Sequence, residues 1–214
     1  MSIYNFKLTG AMALLMHNDD VMFADEMKKW QSTDEGRTAP NGDDRAPGHR
    51  WQGYLYHDGS KVTMPAANLM AALRGGATKI ILKKQTTYKQ AAMSLLVILG
   101  EHCAFSGSKG EIDLLDLAKI RTLPFSEQLE GAKKLGFGLD VRRATIGSSK
   151  HVRVRPRFEK WSVSGRIEIL DAAVITLAAL KAIFEKAGNE GLGDWRPSAK
   201  KPGPFGRFTT EVSA

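Results

Sequence analysis

Cysteine is nearly absent from this chain. Cys103 is the single one in 214 residues, which excludes an intramolecular disulfide framework, and its place beside an apolar run marks it as a buried thiol. Long apolar runs are missing too. The longest, Ala91 to Gly100, is interrupted by Ser94 and is too short to span a bilayer. The N-terminal residues Met1-Ser2-Ile3-Tyr4-Asn5 lack the basic-then-apolar order of a signal peptide, so a soluble cytoplasmic protein without a membrane partner is expected. No internal repeat occurs. The histidines are His17, His49, His57, His102 and His151, and none stands in a His-Cys or His-Glu-x-x-His spacing. A Gly-x-Ser-x-Gly nucleophile motif is also absent. These absences leave no metal site and no cofactor to expect.

Negative charge is in short supply. Against 31 Lys and Arg stand 23 Asp and Glu, a formal net charge of +8. Such a balance favours a polyanionic partner, nucleic acid before all others. The 43% hydrophobic content is enough for a real core, and the length suits one domain carrying insertions.

Between residues 3 and 16 the chain alternates. Tyr4, Phe6, Leu8, Met12, Leu14 and Met16 share one parity, which predicts a long strand with one buried face. Residues of about 17 to 50 break the pattern with Asp, Gly, Pro and mixed charge and are expected to form an insertion. Trp51 to Tyr56 predicts a short strand, followed by a turn over His57-Asp58-Gly59-Ser60 and a return strand at Lys61 to Met64. Pro65 to Arg74 predicts a helix with proline in its first turn and Leu69, Met70 and Leu73 as its apolar stripe. Residues of about 79 to 140 are expected to be a second, mainly helical insertion. Farther on, Val152, Val154, Pro156 and Phe158 alternate with His151, Arg153, Arg155 and Arg157, and Trp161 to Ile169 continues as a second strand. Asp171 is a good N-cap for an amphipathic helix that carries Val174, Ile175, Leu177, Ala178, Ile183 and Phe184 and ends near Gly188. A glycine-rich loop and a last strand, Phe205 to Val212, close the chain.

Without the insertions, the order is strand, helix, strand, strand, helix, strand. It predicts an α+β fold, a modified ferredoxin-like (RRM-like) antiparallel sheet with two helices on one face and the other face free for a ligand, within a single domain over residues 1–214.

The arginine strand carries the most direct chemistry. Arg153, Arg155 and Arg157 fall on one face about 6–7 Å apart, a spacing that suits successive phosphates of a single strand. Arg142, Arg143, Lys150 and Lys160 extend that patch, and Trp161 offers a stacking surface or a core position. In the tail, Gly191, Gly193, Gly203 and Gly206 make a loop whose N–H groups can cradle phosphate, with Arg196, Lys200, Lys201 and Arg207 beside them. Trp195 is expected to anchor that loop. A nucleotide-cofactor site is not expected, because no strand-Gly-helix order surrounds these glycines. Catalysis has only weak candidates: His57 or His17 as a general base, and Asp19 and Asp20 within an acidic cluster that also holds Asp25, Asp43 and Asp44.

Two segments together resemble the RAMP superfamily of CRISPR-associated proteins. Met64-Pro65-Ala66-Ala67-Asn68-Leu69-Met70-Ala71-Ala72-Leu73-Arg74 is similar to that superfamily's first-helix motif, and Gly191-Leu192-Gly193 through Gly203-Pro204-Phe205-Gly206-Arg207-Phe208 to its C-terminal glycine-rich loop. The chain also looks like small phage and prophage proteins that share the Trp161-Ser162-Val163 strand and the Gly191 to Pro197 ending. The likeness covers the core elements and leaves the insertions unmatched. In plan it is nearest to the backbone subunits that polymerise along guide RNA. What it implies is a single-stranded RNA (or single-stranded DNA) partner, contact through Asn68 and Arg74 of the first helix, and a homo-oligomer or filament, with or without other ribonucleoprotein subunits. The insertion at 17–50 would take the thumb role. A binding protein is expected rather than an enzyme; a RAMP-type endoribonuclease and a phage-encoded interaction or anti-CRISPR protein are the alternatives.

Overall fold

The computed structural model describes residues 2–146 and 149–214. In chain order the elements are β1 (Ser2–Gly10), β2 (Leu14–Leu15), α1 (Val21–Gln31), α2 (Asp34–Thr38), a 3₁₀ turn (Arg50–Tyr54), β3 (Thr63–Pro65), α3 (Ala66–Ala77), β4 (Ile81–Lys83), β5 (Thr86–Thr87), α4 (Lys89–Leu95), β6 (Leu96–Ile98), β7 (His102–Ser106), α5 (Leu114–Arg121), α6 (Phe125–Lys134), β8 (Gly138–Ile146), β9 (Ser149–Phe158), β10 (Ser162–Ile169), α7 (Leu177–Glu190) and β11 (Phe208–Ser213). Helices and mostly antiparallel strands are mixed, so the class is α+β.

The larger sheet has the order β11-β1-β10-β7-β3, and β6 lies on the same side of β10 as β7, pairing with its far end. Every pairing in it is antiparallel. Period-two burial follows from the sequence: Phe6 and Leu8 of β1 and Val163, Ile167 and Ile169 of β10 point to one face and are buried. Helices α3 and α7 cover that face. Phe184 of α7 meets Phe6 with ring centroids 5.5 Å apart. The two helices touch at Gly76, where a Cβ would collide with the backbone of Ile183 and Ala187, so only glycine permits the approach. The opposite face of the sheet carries Asn5, Lys7, Thr9, Ser164, Arg166, Thr209 and Glu211, and among the described residues it holds no Phe, Tyr or Trp. It is open, as expected, but lacks the aromatic platform on which RNA-recognition sheets stack bases.

A second sheet, β2-β9-β8, is built mainly from the long β8–β9 hairpin. Here the structure corrects the sequence reading in four places. The alternation over residues 3–16 is not one strand: the chain bends at Gly10 to Met12, where the N–H groups of Ala11 and Met12 both donate to the Arg207 carbonyl, and it crosses from the first sheet to the second. The strand expected at Trp51 to Tyr56 is instead a 3₁₀ turn over Arg50–Tyr54, closed by local bonds such as Gln52 N–H to the His49 carbonyl, and it buries Trp51 with its Nε1 donating to Gln128 Oε1 at 2.8 Å. The arginine strand, β9, lies in the second sheet. Its expected place beside β10 is taken by β6 and β7, which come from the segment at 79–140 set aside as an insertion. The last helix starts after Thr176, whose hydroxyl caps Ala179 N–H, rather than at Asp171.

Trp161 lies in the core. It is 4% exposed, its Nε1 donates to the Met12 carbonyl at 2.9 Å, and its ring meets Phe208 edge-on. It offers no stacking surface to a base. Trp161→Phe is expected to lower stability by about 1 kcal/mol through the lost hydrogen bond; urea melts of the variant check this.

Candidate functional site

The guanidiniums of β9 face carboxylates. Arg153 lies 3.3 Å from Asp44, a residue only 1% exposed that Arg50 also approaches to 3.3 Å. Asp44 further accepts from the Val154 N–H and the Tyr54 hydroxyl. Burial, together with the Asp44 charge, pushes the Tyr54 phenol above its ordinary pKa. Arg155 Nε lies 2.7 Å from Asp194 Oδ2 but off the N–H axis, so this contact is Coulombic rather than a directed hydrogen bond. His17 Nδ1 is 3.5 Å from the same oxygen. The His17 imidazole, with the Arg155 charge, holds the Asp194 carboxyl below the usual carboxylate range against the opposing effect of burial. A carboxylate so depressed stabilises the fold above the unfolded-state pKa of about 3.9 and loses that contribution on acidification through its lower folded value. Arg157 sits 2.7 Å from Glu159 and 3.7 Å from Asp140, and Arg142 donates to Asp140 at 2.8 Å. Four arginines assigned to phosphate by the sequence reading are therefore engaged within the fold.

These arginines also hold the glycine-rich loop. The Arg142 guanidinium lies 5.2 Å from the Trp195 ring and 5.5 Å from Phe205, and Arg157 lies 5.7 Å from Phe205. Trp195 packs on Phe205 at 5.6 Å and donates from Nε1 to the Pro202 carbonyl, the anchoring role expected of it. Gly206 N–H donates to Ala13, Leu192 N–H to Gly206, and Asp194 N–H to Leu15, which ties the loop to the β1–β2 bend. Glycine is required where this loop closes on its neighbours. Gly193 (φ +73°) lies so close to β2 that a Cβ would collide with the Leu15 carbonyl, and Gly206 (φ +75°) meets Leu192 in the same way.

Between this loop and α3 lies a cleft of about 390 Å³. It brings together Asn68 and Arg74 of the helix with Gly191, Gly193 and Arg196 of the loop, five residues that sequence reading had placed in two separate motifs. Lys89 adds a third cation, and Glu190 is the one acid of the lining. Arg74 is exposed, with no carboxylate within 4 Å among the described residues. Arg196 is held by the Gly193 carbonyl at 2.8 Å through Nη1 and by Ser198 Oγ at 3.0 Å through Nε. The C-terminal end of α7 adds partial negative charge here, so attraction for an anion rests on the cationic side chains rather than on a helix dipole.

Tyr56, Thr78, Lys89 and Glu190 also line the cleft and were missed by sequence reasoning. The Thr78 signal was available: Asn68, Ala71, Ala72, Gly75 and Thr78 follow helical spacing and form one small, polar stripe. Tyr56 was hidden by its assignment to a strand.

The remaining candidates fall outside the cleft lining. Arg143 and Lys150 are exposed in β8 and β9, Lys160 is exposed in the turn before β10, and Lys200, Lys201 and Arg207 are exposed along the loop, where Gly203 packs on Trp195. His57 Nε2 is 3.5 Å from Asp20, and the other Asp20 oxygen caps α1 through the Met22 and Phe23 N–H groups. His17, Asp19 and Asp20 share a second cavity of about 550 Å³ with Arg50 and Tyr54. Asp43 pairs with Arg45 at 2.6 Å. Among the described residues no cluster of three or more His, Cys, Asp or Glu side chains is arranged to hold a metal ion, and no helix is long and apolar enough to cross a membrane. No protein-family model and no curated protein sequence matches the chain.

Proposed function

We propose that this protein binds single-stranded nucleic acid, RNA before DNA, as a non-enzymatic subunit of a ribonucleoprotein, and that the strand enters the cleft between α3 and the glycine-rich loop. The observation that carries the proposal is the meeting of Arg74, Arg196, Gly191 and Gly193 around one cleft in a chain of net charge +8. Backbone approach through glycine and bidentate contact through arginine together suit a phosphodiester. Exposed Lys200, Lys201 and Arg207 continue the loop, and Arg143 and Lys150 of the hairpin offer further cations for the flanking phosphates. The preference for RNA rests on the resemblance to the RAMP superfamily. A modified ferredoxin-like arrangement is part of the same proposal. Its support is the order β11-β1-β10-β7, with α3 between β1 and the β6–β7 position and α7 between β10 and β11, the two crossed β-α-β units of that plan.

Fluorescence anisotropy of labelled single-stranded RNA, single-stranded DNA and duplex tests the proposal. Single strands should bind, and log K should fall linearly with log salt by about 0.7 per phosphate contact. Absence of binding to either single strand at low salt would overturn it.

A further inference from the structure

Strand β11 is the outer strand of the larger sheet and, among the described residues, pairs with β1 alone. Its sequence, Phe208-Thr209-Thr210-Glu211-Val212-Ser213, contains no lysine and no proline, and it carries one charge. Free edges of this length are normally blunted by such residues, because unpaired N–H and C=O groups recruit another strand. At the other margin of the sheet, β3 has three residues and ends in Pro65. Beside β11, helix α7 leaves a groove of about 420 Å³ lined by Lys181, Phe184, Glu185, Thr210, Glu211 and Val212. The Thr210 hydroxyl is buried there without a hydrogen-bond partner among the described residues.

We propose that two copies of this chain join edge to edge, β11 antiparallel to β11, about a two-fold axis through Thr210. That register sets Thr210 opposite the partner's Thr210, Phe208 opposite the partner's Val212, and Thr209 opposite the partner's Glu211. The first two are favourable cross-strand combinations, and the first gives the orphan hydroxyl a partner. The neighbouring same-parity register, centred one residue on, would put Glu211 against the partner's Glu211 and is disfavoured by like charge. The flanking helix is self-complementary in the same sense. Lys181 and Glu185 stand one turn apart on exposed positions lining the groove, so the two-fold brings Lys181 toward the partner's Glu185 and the reverse. Glu185 already has Lys186 at 3.2 Å, a surface pair readily exchanged. An isologous contact of this kind closes on itself as a dimer. It differs from the filament along RNA implied by the RAMP resemblance, and it is independent of nucleic-acid binding.

Sedimentation of the nuclease-treated full chain tests the proposal. A species of twice the 23.5 kDa chain mass is expected. Lys181→Glu and Glu185→Lys, both on exposed helix positions, should each weaken the dimer by about tenfold, since either substitution turns two attractive pairs repulsive. Combining the two substitutions should restore it. A monomer at all concentrations, an open-ended series of larger species, or a dimer indifferent to both single substitutions would overturn the inference.

Discussion

Asp44→Ala is expected to lower the unfolding free energy by about 3–5 kcal/mol, the cost of leaving a buried charge without its partner. Asp44 is 1% exposed and stands between Arg50 and Arg153 while accepting from the Val154 N–H. Its removal strands two half-buried guanidiniums and a backbone donor together. The damage should spread beyond the pair, because the Asp44 N–H donates to Val152 and the Val152 N–H donates to Gly42, which straps this segment to β9. Asp19→Ala, an exposed acid of the same segment, should change stability by less than about 0.5 kcal/mol. Urea denaturation of the two variants separates an acidic cluster that merely faces solvent from one that holds the second sheet.

Reversing two cations should be as decisive for the ligand. Arg74→Glu combined with Arg196→Glu is expected to weaken single-strand binding by at least about 100-fold. Two charge-assisted hydrogen bonds at about 1.5–3 kcal/mol each reach that loss, before repulsion is added. Arg74 is exposed, and the side-chain hydrogen bonds of Arg196 go to Gly193 and Ser198 of its own loop, so the unfolding midpoint should move little. Arg153→Glu should do the reverse: it places two carboxylates together in the interior and should unfold the second sheet. Anisotropy titrations paired with melting curves distinguish a residue that touches the strand from one that builds the surface beneath it.

The contrast between these arginines explains what could be read from the sequence. Their alternation along β9 was plain, and so was their charge. Their partners were not, because Asp44 lies 109 residues from Arg153, and no local pattern relates the two. Alternation likewise marked Phe6, Leu8, Val163 and Ile167 as core, and helical spacing marked the apolar faces of α3 and α7, because each of those elements is long enough for its period to be unambiguous. Strand β6 escaped because it has three residues and continues directly from α4, so Ala91 to Ile98 reads as a single apolar run of either kind. The glycine-rich tail was legible as a loop from composition alone. What it faces was not. The cleft depends on α3 and α7 crossing at Gly76, and on Arg142 and Arg157 fixing Trp195 and Phe205 from the other sheet.

Photocrosslinking with 4-thiouridine-substituted single-stranded RNA, followed by mass-spectrometric identification of the modified peptides, puts the central claim to its most direct test. Crosslinks should concentrate in residues 56–78 and 189–207, the two walls of the cleft and the loop beyond it, and Arg74→Glu/Arg196→Glu should abolish them. Crosslinks confined to β9 or to the open face around Lys7 and Arg166, or none at all under conditions where a known RNA-binding protein is labelled, would contradict the assignment.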